Sequence, residues 1–373
     1  MLAEYAVRVE NSRGRRIPEP PHRYRNDFQR DRDRVVHARA FRRLEAKTQV
    51  FTRRESDHFR NRLTHTIEVA QIARTIAAQL GLNVDLVEAL ALVHDIGHPP
   101  FGHAGEKALN AAMQRHGLFF DHNLHALRIV EDFEVRYAAF RGLNLTFEVR
   151  EGIIKHSRDY DPAKFPELAE YLLELRPPLE AQLIDVADEI AYTTADLDDG
   201  FEARLLALDD VRANVPLFES CFCEVVKLYP DAAEKLKFNE AQKRMLDRFV
   251  GDLIINTQER VKDAGVRTVE DVRRHPERLV ALSPEVDEER QVTKEFLYEN
   301  LYFSPTLDEE KDDAEITVGT LFQYWMEHPE TLPHPYQLKA EEEPLARVVC
   351  DYLAGMTDNF IFEQYDKYRL ETR

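Results

Sequence analysis

His94-Asp95-Ile96-Gly97-His98-Pro99-Pro100-Phe101-Gly102-His103 places four ionisable side chains, two glycines and two prolines within ten residues. Neighbouring residues on an α-helix diverge by about 100°, so His94 and Asp95 reach one ion together only where a helix is ending. Gly97, Pro99, Pro100 and Gly102 supply that break. The apolar run Leu86–Val93 just upstream reads as the helix that ends there, and Asp85 with Glu88 gives a capping-box pattern for its start. A metal ion needs further ligands, which a helical fold supplies one per inward-facing helix. His65 and Asp188 sit among small apolar residues, where an unpaired ionisable group is costly.

Working outward, helical periodicity dominates. Leu63, Ile67, Ala70, Ala73, Ala77 and Leu80 recur at steps of three and four, and Gly81 supplies a stop. His103–His116 reads as a third helix closed by Gly117, Asn123–Phe133 as a fourth and Thr146–His156 as a fifth. Pro177 and Pro178 open a long helix reaching about Leu197. Asp188, Tyr192 and Asp196 then share one stripe of it. The acidic stretch Asp308–Glu315 reads as a loop. Pro333, Pro335 and Pro344 bracket a connection before a last helix from Leu345. Glu299-Asn300-Leu301-Tyr302-Phe303-Ser304 resembles an engineered protease site, but lies mid-chain within a helical pattern and reads as native.

The 373 residues are 43% hydrophobic and 32% charged, which suits one large domain or two sharing a core and excludes a disordered chain. Cys221, Cys223 and Cys350 are too few to staple a fold of this size. With no apolar signal core and no run of about 18 apolar residues, the expectation is a cytoplasmic protein without a membrane partner. The net charge of −19 argues against a general nucleic-acid coat. Residues 1–62, however, carry 17 Lys and Arg against 9 Asp and Glu. That arm includes Arg30, Arg32, Arg34, Arg53 and Arg54, and reads either as a polyanion site, such as for single-stranded DNA, or as a salt-bridged face.

The order His65, His94-Asp95, Asp188 on successive helices resembles the signature of the HD superfamily of metal-dependent phosphohydrolases. Within it, the chain resembles the bacterial deoxyguanosinetriphosphate triphosphohydrolase-like family. Phe28–Arg34, Ala40–Leu44, Lys47–Phe51, Arg62–Thr66, His94–Glu106, Asp185–Tyr192 and Asp351–Asp358 carry that resemblance, while about 205–290 carries none of it. His125 departs from the family pattern, which has a polar, non-ionisable residue there. The fold implied is all-α, an HD helical core at 61–205 between an arginine-rich arm and first helix at 1–60 and a helical region at 206–373. The C-terminal region would complete the substrate pocket and the oligomer contacts.

The resemblance implies hydrolysis of a deoxynucleoside triphosphate to deoxynucleoside and inorganic triphosphate. His65, His94, Asp95 and Asp188 would hold a divalent metal. Their mixed nitrogen and oxygen donors suit Mn, Fe, Ni or Zn better than Mg, and a second ion would arrive with the triphosphate. His103 and Glu106, at i and i+3, would form the general acid for the sugar 5′-oxygen, with His122 at the α-phosphate. Tyr192 would stack on the sugar and exclude a 2′-hydroxyl. Asp196 and Gln49 would hold the 3′-hydroxyl, Arg62 would contact phosphate or base, and Lys155 would contact phosphate. His98 and His125 read as structural. A homo-oligomer and an activating dNTP also follow from the resemblance. The alternatives are an HD phosphodiesterase or nucleotidase, and a nucleotide-sensing or single-stranded-DNA-binding protein with secondary catalysis.

Overall fold

The computed structural model describes residues 2–49, 59–302 and 305–369. Val50, Phe51, Arg53, Arg54, Phe303 and Ser304 lie outside the described residues. Among the described residues the secondary structure is helical, with two isolated β-bridges, Arg15 to Thr146 and Thr48 to Asn61. The helices that build the site are α1 (Asp27–His37), α2 (Arg62–Leu80), α3 (Val84–Val93), α4 (Gly102–Gln114), α5 (His122–Arg128), α6 (Phe147–Lys155) and α7 (Leu179–Glu202). Beyond them come α8 (Pro216–Leu228), α9 (Glu234–Asp263), α10 (Pro284–Leu297), α11 (Pro305–Glu327), α12 (Leu345–Ala354) and α13 (Asp358–Tyr368).

Helix α2 begins at a capping box, with Asn61 accepting from the Thr64 amide and Thr64 from the Asn61 amide, and ends at left-handed Gly81. These reciprocal bonds satisfy two of the amide groups that every helix start leaves open. Helix α3 differs from the expectation at its start. Asn83 is the cap and accepts from the Leu86 amide, whereas Asp85 accepts from the Asn26 and Gln29 side chains of α1. The segment Asp308–Glu315, expected as a loop, lies inside α11. Pro305 stands at the first helical position, where its fixed φ suits a helix start. Leu345 begins the last helix but one, since α13 follows it.

Two apolar cores hold the chain. The larger joins Phe28 and Val35 of α1 to α2, α3, α6 and α7, and it also takes in Ala6, Val7, Phe41 and Leu44, so the N-terminal arm lines the same core as the helices after it. The second is built by Phe101, Leu109, Met113 and Phe120 against Val318, Trp325, Val349, Leu353 and Ile361. Helix α4 and the loop before it therefore pack on the C-terminal helices α11 and α12. The loop His94–His103 thus lies between the two cores, with Ile96 in the first and Phe101 in the second.

The arm's guanidinium groups are largely engaged within the fold. Arg34 is held by both oxygens of Glu19 at 2.8 Å and by the Leu143 and Asn144 carbonyls. Arg30 reaches Glu19 and Asp27, Arg32 reaches Asp33 and Glu88, and Arg15 pairs with buried Asp31. The salt-bridged alternative describes these residues.

Candidate metal centre and substrate cleft

Helices α2, α3 and α7 pack on one another and each brings one imidazole or carboxylate to their common centre. His65 stands one turn into α2, His94 caps the C-terminal end of α3, and Asp188 lies on the third turn of α7. His65 Nε2 lies 2.7 Å from Asp188 Oδ1, and His94 Nε2 lies 3.7 Å from that oxygen and 3.7 Å from Asp95 Oδ1. Donor atoms of His65, His94 and Asp188 all fall within 4.8 Å of one another. His94 Nδ1 donates to the Ala91 carbonyl at 2.7 Å, which leaves Nε2 buried with no hydrogen-bond partner among the described residues. A metal-binding histidine is oriented in this way, with one nitrogen tied to a carbonyl and the other turned inward. The donor set therefore fits a divalent ion.

Electrostatics of the pair His94-Asp95 follow from the same packing. Burial opposes protonation of His94, yet Asp95 and Asp188 outweigh it and push the imidazole up to about 9. Burial also opposes ionisation of Asp95, but His98, Arg62 and His94 hold its carboxyl well below the usual range. Asp188 is held low against burial by His65 and His94. Arg62 Nη1 donates to Asp95 Oδ2 at 2.8 Å, so this arginine, expected at the phosphate or base, fixes one oxygen of Asp95 while the other faces His94 and His98.

The second group is centred on Glu106. His122 Nδ1 donates to Glu106 Oε1 at 2.9 Å, and His103 Nδ1 stands 3.8 Å from Oε2. Both imidazoles hold Glu106 ionised against the effect of burial. His103 is 87% exposed and so faces outward from the loop. His98 was not expected here. Its Nδ1 lies 2.8 Å from Asp95 Oδ1 and its ring stacks on His122 at 3.9 Å, so it bridges the metal centre and the Glu106 group. Burial and Arg62 together push it well down and keep it neutral. His98 was visible within the opening decapeptide, but nothing in its spacing separated it from a structural histidine. His156, also unforeseen, is buried at the end of α6 with its ring edge-on to His94 at 6.1 Å, pushed down to about 3 by burial and by His94 and His122. His125 is buried 3.3 Å from Asp351 and stays structural.

The cleft residues divide. Tyr192 and Asp196 follow Asp188 along α7 as the stripe predicts. Asp196 is buried, accepts a hydrogen bond from the Tyr302 hydroxyl, and is pushed up to about 7 by burial. Gln49 Oε1 is buried without a hydrogen-bond partner among the described residues. Lys155 departs from its expected phosphate contact. It is 1% exposed, and its ammonium donates to Glu151 at 3.1 Å and to the Tyr171 and Leu172 carbonyls at 3.2 and 2.9 Å. Its anionic partner lies on its own helix, inside the fold. Helix α10 contributes two cations that carried no motif. Arg290 and Lys294 each stand 3.1 Å from Glu189, with the Lys294 ammonium 5.6 Å above the Tyr192 ring.

Residues 62–193 match the HD domain family model, and residues 280–367 match that of the phosphohydrolase-associated domain. A deoxyguanosinetriphosphate triphosphohydrolase-like protein of Azoarcus sp. (strain BH72) is 48% identical over 365 residues, covering 98% of this chain and 95% of that one. Proteins of the same description from Ralstonia pickettii (strain 12J) and Geobacter metallireducens are 44% and 43% identical, each over 98% of this chain and 93% and 94% of their own. The chain belongs to the deoxyguanosinetriphosphate triphosphohydrolase-like family. The HD match begins at Arg62 and includes His65, His94, Asp95 and Asp188, so it spans the three helices whose ligands converge here. The phosphohydrolase-associated match takes in α12 and α13, which pack behind the catalytic loop. Membership makes the chain an HD-type hydrolase. No helix among the described residues is long and apolar enough to cross a membrane.

Proposed function

We propose that this chain hydrolyses deoxynucleoside triphosphates to a deoxynucleoside and inorganic triphosphate. The observation that carries this reading is the coupling of two sites through Asp95 and His98. The His65, His94 and Asp188 group, with Asp95 beside it, and a His103–Glu106–His122 group stand side by side, as attack at a phosphorus and protonation of its leaving oxygen require. A divalent ion held by His65, His94, Asp95 and Asp188 would withdraw charge from the α-phosphate and render a nearby water more acidic.

The chain's own residues do the rest. Water adds to the α-phosphorus, the bond to the sugar 5′-oxygen breaks, and His103 gives its proton to that oxygen. Glu106, 3.8 Å from the His103 ring, is the carboxylate placed to orient it for that transfer, and general-acid help of this kind is worth roughly 10²–10⁴ in rate. The amide end of α4 offers hydrogen-bond donors to the phosphate, with His122 beside it and Arg62 reaching it through Asp95, and Arg290 and Lys294 lie farther along the cleft. Tyr192 stacks on the deoxyribose, and Asp196 with Gln49 holds the 3′-hydroxyl. The mixed donor set favours Mn, Fe, Ni or Zn. The names of the relatives support a nucleoside triphosphate substrate.

The test is hydrolysis of all four dNTPs, singly and mixed, with Mn²⁺ or Mg²⁺, with Asp95→Ala as the blank. Triphosphate and deoxynucleoside, absent from the blank, are expected. Release of pyrophosphate or monophosphate instead would move the chain to the phosphodiesterase or nucleotidase class.

A further inference from the structure

The carboxylate of Asp358, the first residue of α13, joins two segments of the active site that are more than fifty residues apart in the chain. Its Oδ2 accepts from the Thr48 amide at 2.7 Å and from the Thr48 hydroxyl. Its Oδ1 accepts from the Phe101 amide at 3.0 Å. Thr48 precedes Gln49, and Phe101 lies between His98 and His103. We propose that Asp358 is a positioning residue for the hydrolysis, setting the register between the segment that carries Gln49 and the loop that carries His98 and His103. This inference rests on the reading of the reaction given above.

Three further observations give the tie its purpose. Phe101 is left-handed, with φ +63°, a conformation that a bulky side chain adopts only when its surroundings impose it. The Asp358 bond to its amide and the packing of its ring on Phe362 of the same helix, 4.9 Å between centroids, are both in place to do so. Phe101 is also the residue from which α4 starts, so its conformation aims the first turn that bears His103 and, one turn on, Glu106. Finally, buried Lys47 donates to the His98 carbonyl at 2.5 Å and to the Ala354 carbonyl of α12 at 3.0 Å. The same two active-site segments are thereby tied to the C-terminal helices a second time, one residue earlier on the first strand of contact. A carboxylate serves both segments because it is acceptor-only at each oxygen. An amide at this position has one acceptor and holds one segment or the other.

The experiment compares full-length wild type, Asp358→Asn and Asp358→Ala, each with Mn²⁺. Amide hydrogen exchange should rise in residues 47–49 and 98–103 of the variants, while Mn²⁺ affinity stays within about threefold, because no metal-ligating side chain touches Asp358. With a dNTP, kcat should fall about 100-fold in Asp358→Ala and KM should rise several-fold, reflecting His103 and Gln49 respectively. With bis(4-nitrophenyl) phosphate, whose leaving group needs no proton, the loss should stay below about threefold. Asp358→Asn should fall between the two, and it decides the matter if the alanine variant does not fold. Unchanged exchange in both segments, or an equal loss on both substrates, would overturn the inference. If wild type cleaves no dNTP, the reading of the reaction fails instead, and the exchange comparison alone decides the role of Asp358.

Discussion

Asp196 is a buried carboxyl and Glu106 a half-buried one, their surroundings drive them in opposite directions, and each makes a prediction. Burial raises Asp196 to about 7 from an ordinary value near 3.8. The folded chain therefore holds a proton there that the unfolded chain has released, and stability falls as pH rises from about 4 to about 7. Asp196→Asn removes this dependence. Its melting temperature should exceed wild type at pH 8 and match it near pH 4, the gain at most about 4 kcal/mol, while KM for the dNTP rises. Equal melting temperatures at pH 8 would show that the carboxyl is better solvated than its burial indicates. Glu106 is instead held ionised by two histidines. Glu106→Gln keeps an acceptor for the His122 amide but removes the carboxylate that faces the His103 and His122 rings. The expected result is a kcat lower by roughly 10²–10⁴ with KM nearly unchanged, measured under saturating metal.

At the scale of the element, the loop between α3 and α4 depends on backbone contact that any side chain would prevent. A Cβ on Gly97 would lie 2.0 Å from the His122 carbonyl oxygen and 2.5 Å from the Ala126 amide nitrogen. Gly97→Ala must therefore push α5 away from the metal centre. The variant should lose roughly 1–3 kcal/mol or more in urea unfolding and should lose activity beyond that, because His122 moves with the helix. The sequence made α2 legible through its three- and four-residue apolar spacing, and the grouping of His65, His94 and Asp188 through their order along successive helices. It misled where a side chain had two uses. Asp85 has the right type and spacing for a cap but bonds α1 instead, leaving that task to Asn83. The acidic run after Pro305 has loop composition, yet it lies in a helix whose later turns bury Val318, Leu321 and Trp325. Lys155 could not be read correctly because Glu151, four residues before it, is fixed by Arg273, distant in sequence. His156 carried no local signal, since only the crossing of α6 with the end of α3 brings it to His94.

For the whole molecule, the arginine-rich arm is an internal brace. Glu19 accepts from Arg34 and Arg30 and from the Asn144 side chain at 2.9 Å. Burial works against its ionisation, but Arg34 outweighs it and holds Glu19 below its ordinary value. Its contribution is therefore full above the ordinary carboxylate range and is lost as pH falls through the lowered value. Glu19→Gln leaves the buried Arg34 guanidinium short of a counter-charge and should cost about 2–3 kcal/mol at pH 7, read by denaturant unfolding, with the difference from wild type shrinking as pH falls through the lowered Glu19 value. An unchanged midpoint at pH 7 would show that the Leu143 and Asn144 carbonyls suffice for Arg34.

Helix α4 belongs to two neighbourhoods at once: its first turn serves chemistry and its flank belongs to the C-terminal core. Warming that loosens the smaller core before the larger one would tilt the first turn while the metal ligands on α2, α3 and α7 stay in place. Turnover would then fade at temperatures where most of the helical signal survives. The enzyme would carry its thermal fuse at the end of the chain rather than at its ion.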